Sequence, residues 1–372
     1  MSKPPKGKDR SCATPRVWAL LGRRTGDNLQ VETLADALGW PCERKALSWR
    51  GRLVGWTPRY GRMGPSLAPL TGEARALIAP PWPDLVLSVG WRSAPVARWI
   101  GREGGARVVH IGRPRAPLDG FDLVLTTPQY RLPEAINVVR LDAPMTRLSA
   151  EVLARAGEQW RDRLAHLPRP WIAVLIGGDA PPLRLSPASA ADLGAKADAL
   201  ARQRGGSLLI ATGPRTGHAA AEAFLARVGV PAHSYLWGSG GENPYPGYLA
   251  LADEIVVTSD SISMAHEASL TGRPVHLYDL PAGGAWLPRA LQWIDQRLRA
   301  GGGAASNAYQ KLIRDGWIYP PRAPDAFHAG LLRSGRAVRL GEPAGPVVAV
   351  SASTDPERAV AAVRDLLEPD GP

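Results

Sequence analysis

Short apolar runs alternate with amphipathic stretches along most of this chain, and that alternation limits its fold more than any other feature. Runs of this length suit strands that are buried on both faces, and the stretches between them suit helices. Regular strand–helix alternation is typical of a parallel sheet with helices on both sides. In the first half it predicts a helix at Asn28–Leu38 and strands at Val17–Gly22, Leu85–Val89, Arg107–Ile111, Leu123–Thr126 and Val138–Leu141.

The pattern lapses after Asp142 and then starts again, which predicts a second domain. A chain of 372 residues also exceeds the length of one typical domain. We therefore expect an α/β protein of two Rossmann-type domains, over residues 16–148 and 149–372, after a flexible basic tail at 1–15. The last predicted helix, at 356–368, belongs to the second domain or packs back on the first. The other predicted elements are helices Ala150–Leu164 and Leu287–Arg299 and strands Trp171–Ile176, Ser207–Thr212, His233–Trp237, Glu254–Thr258 and Pro274–Tyr278.

Composition narrows the class of partner. The formal net charge of +11 predicts an anionic partner, which leaves nucleic acid, a phosphorylated small molecule and an acidic membrane surface open. Two cysteines cannot build a disulfide framework, and no apolar stretch is long enough to span a bilayer. We expect a cytoplasmic protein with reduced thiols, no metal and no cofactor.

Ligands of open parallel sheets bind beyond the carboxyl ends of the strands, so the loops at those ends carry the candidate residues. The first such loop, "RRTGDNLQ", offers Thr25 or Asp27 as a helix cap and Gly26 for a close approach, or it is a plain capped turn. It lacks the glycine pattern of a dinucleotide site. In the second half the corresponding loops bring Gly177, Gly178, Arg215 and Thr216.

The stretch "TSDSISMAHEASLTGRPVHLY", residues 258–278, predicts a helix that begins beside a strand end. Asp260 or Ser261 would cap it, and the amides of Ser263 and Met264 would suit a diphosphate. Glu267 lies one turn further on the same face, where its carboxylate would accept both hydroxyls of a ribose. The alternative is an ordinary surface Glu, or one paired with Arg273.

These residues carry a family resemblance. "SMAHEASLTGRPVHLY" is similar to the donor-site segment of GT-B glycosyltransferases, especially the N-acetylglucosaminyltransferases of peptidoglycan synthesis. More closely, the chain resembles the mitochondrial-fission ELM family, whose bacterial members it matches in order over most of residues 16–280. The matching pieces are "GDNLQ", "LADALGWP", "HIGRPR", "FDLVLTTPQYRLP", "VLIGGD", "RTG", "GENPYPGYLALADEIVVTSDSISMAHEA" and "TGRPV".

The resemblance implies a GT-B-like fold, with the two sheets facing an interdomain cleft that holds a nucleotide-diphosphate sugar. Trp237 would lie near the base, while Asn243 and Tyr245 would reach the sugar or only fix their loop. Relatives tend to have Ser-Arg-Arg-Thr-Pro where this chain has Gly213–Pro214–Arg215–Thr216–Gly217, a departure that weakens the phosphate site. The implied nucleotide-sugar residues are Gly177, Gly178, Arg215, Thr216, Trp237, Asn243, Tyr245, Ser261, Ser263, Met264 and Glu267.

An inverting transfer also needs a general base to take the proton of the acceptor hydroxyl. The candidates are His110, at the carboxyl end of a strand, and Asp27, in the first loop. His110 is otherwise a hydrogen-bonded core histidine. The remaining residues assigned to this side of the cleft are Thr25, Gly26, Asn28 and Gln30.

One further stretch bears on the acceptor. Residues 44–62 carry six Arg or Lys, no Asp or Glu, and interleaved aromatic side chains. This composition fits contact with an anionic membrane, and the alternatives are a solvated loop with its Trp residues in the core or, less favoured, a single-strand nucleic-acid contact. The predicted membrane-contact residues are Arg44, Lys45, Trp49, Arg50, Arg52, Trp56 and Arg59.

Two functions of different classes follow. The first is transfer of a sugar to a cell-envelope or lipid-linked acceptor at the inner face of the cytoplasmic membrane. The second is a non-catalytic GT-B-like scaffold that recruits a partner protein to a membrane surface. No specific nucleic-acid partner is expected.

Overall fold

The computed structural model describes residues 14–51, 64–283, 286–343 and 354–368, with the backbone alone at 286–289. These residues form two α/β units. The first unit takes the described residues of Met1–Thr146, Trp293–Pro320 and Ser353–Pro372, and the second takes those of Arg147–Gln292 and Pro321–Ala352. The division falls two positions from the predicted boundary, but the first unit also includes chain that the sequence pattern placed in the second domain.

The first unit contains a six-stranded sheet in which all neighbouring strands are parallel. Its strands are β1 (Val17–Leu21), β2 (Cys42–Ala46), β3 (Leu85–Val89), β4 (Arg107–Ile111), β5 (Leu123–Thr126) and β6 (Val138–Arg140), in the order β2-β1-β3-β4-β5-β6. The helices that accompany it early in the chain are α1 (Thr25–Leu38), α2 (Gly72–Ala76) and α3 (Gly90–Gly104).

Alternate side chains of these strands enter two separate apolar layers, because successive residues of a strand point to opposite faces. Trp18, Val86 and Val108 lie in one layer, and Val17, Leu85 and Val109 lie in the other. The second layer is completed by the end of the chain, where Ala359 and Val363 are fully buried.

The second unit repeats the plan after helix α4 (Ala150–Leu164). Its sheet is again six-stranded and parallel, in the order β12-β11-β10-β7-β8-β9. The strands are β7 (Trp171–Ile176), β8 (Ser207–Thr212), β9 (Ala232–Tyr235), β10 (Glu254–Thr258), β11 (Val275–Tyr278) and β12 (Val338–Arg339), and the helices are α5 (Pro187–Arg204), α6 (His218–Leu225), α7 (Tyr245–Leu251), α8 (Ile262–Ser269) and α11 (Pro324–Arg333).

Two helices between α8 and α11, together with the last helix, belong wholly or partly to the first unit. They are α9 (Trp286–Ala300), which crosses from the second unit into the first, α10 (Gly303–Arg314) and α12 (Asp355–Asp365). A buried carboxylate attaches α12, since Oδ2 of Asp355 accepts hydrogen bonds from the backbone N–H groups of Asp142 (2.6 Å) and Ala143 (3.0 Å). This helix therefore packs in the core of the first unit.

The predicted α/β class with two parallel sheets is confirmed. Six of the ten predicted strands have the bounds of the structure, and the others differ by one or two residues at one or both ends. Two edge strands escaped prediction, because β2 carries charged side chains at three consecutive positions and β12 has only two residues. Among the described helices, none combines the length and the apolar character needed to cross a bilayer.

Candidate functional site

The carboxyl ends of β7, β8 and β10 meet in the second unit around one buried carboxylate. Asp260, two residues beyond β10, has no exposed surface. Its Oδ2 accepts from the backbone N–H of Gly178 (2.9 Å) and from Nη2 of Arg215 (3.0 Å), and its Oδ1 accepts from the hydroxyl of Thr258 (2.7 Å). Burial raises the pKa of Asp260, and the charge of Arg215 opposes that rise.

The predicted glycine turn after β7 is packed against the protein itself. A Cβ on Gly177 would lie 2.3 Å from the Asp260 carboxylate, and one on Gly178 would lie 2.0 Å from the carbonyl oxygen of Arg215. Gly178 also has a φ of +154°, which L side chains rarely adopt. Both positions therefore need glycine for the contact between loops, whether or not a ligand approaches.

Arg215 and Thr216 hold the loop after β8 in place. Nη1 of Arg215 donates to the carbonyl oxygen of Asp179 (3.0 Å), and the Thr216 hydroxyl donates to the carbonyl oxygen of Gly177 (2.6 Å). The same hydroxyl accepts from the backbone N–H of Gly213 (2.9 Å). Thr216 is buried, so its side chain closes the turn, whereas the Arg215 side chain keeps 40% of its surface exposed.

The N-terminus of α8 follows Asp260 directly. Ser261 occupies the N-cap position, but its side chain makes no capping hydrogen bond, so the predicted cap by Asp260 or Ser261 is not formed. The first backbone N–H groups of a helix lack intrahelical acceptors and carry partial positive charge. Ser263 and Met264, both half-buried, provide two of these amides beside the Asp260–Arg215 pair.

Glu267 lies one turn into α8 and is buried at 8% exposure. Its Oε2 accepts a hydrogen bond of 2.5 Å from the Tyr245 hydroxyl at the start of α7. Burial and the charge of Glu267 raise the pKa of Tyr245, so the phenol stays protonated and donates. Neither predicted alternative, a surface Glu or a partner of Arg273, describes this carboxylate.

Two other predicted residues lie around this edge. Trp237 exposes 47% of its surface, and its backbone N–H donates to the Thr212 hydroxyl (2.8 Å). Oδ1 of Asn243 accepts from the backbone N–H of Tyr245 (3.1 Å), which is the loop-fixing role among the two considered. The Trp237 side chain is thus about half exposed at this edge.

His110, in the first unit, is not positioned for general-base catalysis. The side chain has no exposed surface, its Nδ1 lies 2.9 Å from the Ser88 hydroxyl, and its ring packs against Phe121. Burial lowers the pKa of His110 to about 3. The structure corresponds to the core-histidine alternative, because a fully buried imidazole cannot reach an acceptor hydroxyl.

The first loop differs from prediction in its cap. Helix α1 begins at Thr25 with Arg24 at the N-cap, and no side chain caps it, so neither Thr25 nor Asp27 has that role. Asn28 instead ties the loop to β1, since its amide both accepts from the N–H and donates to the C=O of Gly22 (2.8 Å each). Thr25 and Gly26 are exposed, Gln30 reaches the carbonyl oxygen of Gly26 (3.5 Å), and half-buried Asp27 lies beside Gly90.

The predicted membrane-contact residues divide into three groups. Arg44 pairs with Asp36 and Glu32, while Lys45 is buried, pairs with Glu43 and lies over the Trp18 ring. Trp49 packs against the apolar core, and Arg50 is exposed. Arg52, Trp56 and Arg59 lie outside the described residues. For the described part of this stretch, the contacts resemble the core-packed alternative more than a membrane loop.

Sequence reasoning missed the central position of Asp260, which it considered only as a cap. The available signal was its place between two hydroxyl residues at the end of a buried strand, where a carboxylate needs a partner. Its link to Arg215 joins residues 45 positions apart, so spacing could not reveal it. Among the described residues, no three His, Cys, Asp or Glu side chains are grouped as a metal site.

Comparison with known proteins adds the following similarities. A family model described as "Mitochondrial fission ELM1" matches residues 25–327. The mitochondrial fission protein ELM1 of Arabidopsis thaliana is 27% identical over 283 residues, which are 69% of this chain and 65% of the plant protein, so the match spans less than two thirds of that relative.

Solved structures show lower similarity. A UDP-GlcNAc 2-epimerase from Methanocaldococcus jannaschii aligns with 94% of this chain and 99% of its own at 11% identity and a TM-score of 0.47. A glycosyltransferase from Rickettsia africae aligns with 86% of this chain and 97% of its own at 12% identity and a TM-score of 0.44.

Proposed function

Because the chain belongs to the mitochondrial fission ELM1 family, we propose that it is a glycosyltransferase-like protein whose second unit binds a nucleotide-diphosphate sugar. The observation that carries the proposal is the uncapped N-terminus of α8 at the carboxyl edge of a parallel sheet. Arg215 stands beside it and a buried carboxylate follows one turn later. Family membership confirms the resemblance found in the sequence.

The diphosphate would be held mainly by backbone. Helix amides attract a phosphate through their partial positive charge and need no side chain to do so. The charge of Arg215 is largely balanced by Asp260 at 3.0 Å, so its role is to position the loop and to donate hydrogen bonds.

The ribose would take the place of a protein hydroxyl. Glu267 already accepts a hydrogen bond from a phenol, which has the same donor group as a sugar hydroxyl. A nucleotide whose ribose binds there displaces Tyr245 from the carboxylate or shares it. Tyr245 therefore keeps the buried carboxylate satisfied until the nucleotide arrives.

The first unit would carry the acceptor, a lipid-linked or cell-envelope molecule. With His110 buried, Asp27 is the remaining candidate for the base that an inverting transfer needs. It lies in the first turn of α1, near the carboxyl end of β1. In such a transfer this carboxylate would take the proton of the acceptor hydroxyl.

Thermal unfolding with a panel of UDP-, GDP-, ADP- and CMP-sugars tests the proposal. We expect one nucleotide to raise the unfolding temperature, and Glu267→Gln to remove that increase because the amide is a poorer acceptor for two hydroxyls. Glu254→Gln is the matched control. Glu254, the first residue of β10, also keeps only 12% of its side chain exposed, and its carboxylate accepts a hydrogen bond from His276 of β11. No increase with any nucleotide would overturn the proposal.

A non-catalytic scaffold is the second candidate function. The observations in its favour are the burial of His110 and the pairing of Glu267, Arg215 and Thr216 with other groups of the protein. The name of the plant relative, a mitochondrial fission protein, also favours it. In that case the protein would recruit a partner to a membrane surface, and it would be indifferent to every nucleotide in the panel.

A further inference from the structure

Three neighbouring strands of the first unit end in the same way. Immediately beyond β1, β3 and β4 come Gly22-Arg23-Arg24, Gly90-Trp91-Arg92 and Gly112-Arg113-Pro114-Arg115. These strands are adjacent and parallel, so all three loops lie at one edge of the sheet. The loops hold five arginines and no acidic residue. A cluster of like charges at the ligand-binding edge of a sheet needs an explanation.

Two of the five arginines contact the same aromatic side chain. The guanidinium carbon of Arg92 lies 5.1 Å from the centre of the Trp91 ring, and that of Arg115 lies 5.3 Å from it. Stacking of this kind leaves the edge N–H groups of a guanidinium able to donate in the plane. Trp91, Arg92 and Arg115 are all half-buried, so the ring and its two cations are held in place.

The backbone keeps Arg115 where it is at some energetic cost. Its φ of 51° lies in the left-handed region, which is uncommon for any residue except glycine. Burial, together with the nearby charge of Arg24, lowers the pKa of Arg115, while Tyr319 acts in the opposite direction. The charge of Arg24 thus adds to the positive surroundings of Arg115.

Within the part of the chain that the structure describes, the carboxylate of Asp27 lies at this edge, with its Oδ2 3.5 Å from the position that a Cβ on Gly90 would take. Neither Arg24 nor Arg115 takes part in an ion pair there. The acid nearest in sequence is Asp27, in the first turn of α1. Residues 52–63, which lie outside the described chain, contain no Asp or Glu. The five arginines of these loops outnumber that carboxylate, and a bound anion would offset the remaining positive charge.

We propose that the edge formed by the loops after β1, β3 and β4 is a binding site for a phosphate or diphosphate group, with Arg24, Arg92 and Arg115 as its ligands. The two helices that begin there support it. Helices α1 and α3 have no side-chain cap, and α3 has no acidic residue in its first turn, whereas α1 has Asp27 there. Their amide ends add to the attraction for an anion. The site does not depend on the donor site of the second unit.

Isothermal titration of the full chain with inorganic pyrophosphate at low ionic strength tests this site. We expect Arg24→Gln and Arg115→Gln each to weaken binding about tenfold, the usual effect of removing one charged donor from a phosphate. Arg115→Lys, which keeps the charge but loses the planar fork, should weaken it less. Arg75→Gln, an exposed arginine of α2 in the same unit, is the control and should change nothing.

The outcomes separate this site from the donor site. Pyrophosphate binding that is lost in Arg215→Gln but unchanged in Arg24→Gln and Arg115→Gln would overturn the inference and leave the proposed function standing. The exposed Arg24 gives the decisive variant if Arg115→Gln folds poorly.

The phosphate could belong to a soluble ester or to a lipid headgroup, and vesicle flotation distinguishes the two. We expect phosphatidylcholine vesicles with phosphatidic acid to carry the protein only if the source is a lipid, and Arg24→Gln to abolish that flotation. Absence of both pyrophosphate binding and Arg24-dependent flotation would refute the site.

Discussion

The carboxyl edges of the two sheets are built from the same strand–loop–helix units, yet they differ in how their charged side chains are paired. In the second unit the buried carboxylate of Asp260 accepts hydrogen bonds from Arg215 and from a backbone amide, and that of Glu267 accepts one from Tyr245. In the first unit the loops after β1, β3 and β4 carry five arginines and no acidic residue of their own. Topology therefore fixes where polar groups gather, while the loop residues decide whether they satisfy one another or an outside group.

Gly178→Ala should have the largest effect, because it breaks the self-contained edge of the second unit. The new Cβ would be 2.0 Å from the Arg215 carbonyl oxygen at a φ of +154°. We expect the free energy of unfolding to fall by about 3 kcal/mol, measured by urea denaturation. Gly330→Ala in α11, where nothing lies within 4 Å, is the control and should be neutral or stabilising. Equal midpoints for the two variants would contradict the account of this edge.

Lowering the pH should expose a cost that both units share. Burial lowers the pKa of His110 to about 3 and that of His266 to about 4, from an ordinary 6.5. The unfolded chain binds a proton near pH 6.5 while the folded chain does not, so stability falls as the pH drops below that value. At pH 5 each histidine should cost about 2 kcal/mol.

Unfolding temperatures between pH 7 and pH 5 check this, and they should depend less on pH in His110→Gln and in His266→Gln. An unchanged slope in both variants would show that these imidazoles are protonated in the folded protein.

Removing one arginine from each edge should give effects of opposite sign. Arg215→Gln leaves Asp260 buried without its guanidinium, and we expect a loss of about 1–2 kcal/mol, reduced from the fully buried case because Arg215 is partly exposed. Arg24→Gln removes a repulsion and should stabilise the protein by a few tenths of a kcal/mol at low salt. Calorimetry at low and high ionic strength measures both. A stabilising Arg215→Gln would mean that the two edges do not differ.

The sequence predicted most of the architecture because buried parallel strands are continuous apolar runs with clear ends. Strand β2, "CERKA", was missed because an edge strand of the sheet can carry charged side chains on consecutive positions. The predicted bounds of β9 were shifted by one or two residues for a related reason, since β9 is also an edge strand and alternates exposed and half-buried residues. A run of apolar residues indicates a buried strand, and strands at the edge of a sheet are the least buried, so this signal is weakest for them.

The candidate sites were predicted less completely. Strand ends identified Arg215, Ser263 and Glu267 as residues of one edge, because parallel topology alone brings those loops together. The topology of the sheet could not reveal that the Tyr245 hydroxyl would donate a hydrogen bond to Glu267, since that contact depends on how α7 and α8 pack. For His110 the period of two in "RVVHI" was informative, because it places the imidazole on the same face as the core residue Val108.

The return of α12 to the first unit has a consequence for synthesis on the ribosome. Asp355 holds the backbone at Asp142 and Ala143, and Ala359 and Val363 fill the layer beside α1. The first unit thus lacks part of its core until Asp355 and the rest of α12, 213 positions beyond Asp142, have left the exit tunnel. A nascent chain can complete the later half earlier, so maturation order is the reverse of the order of synthesis.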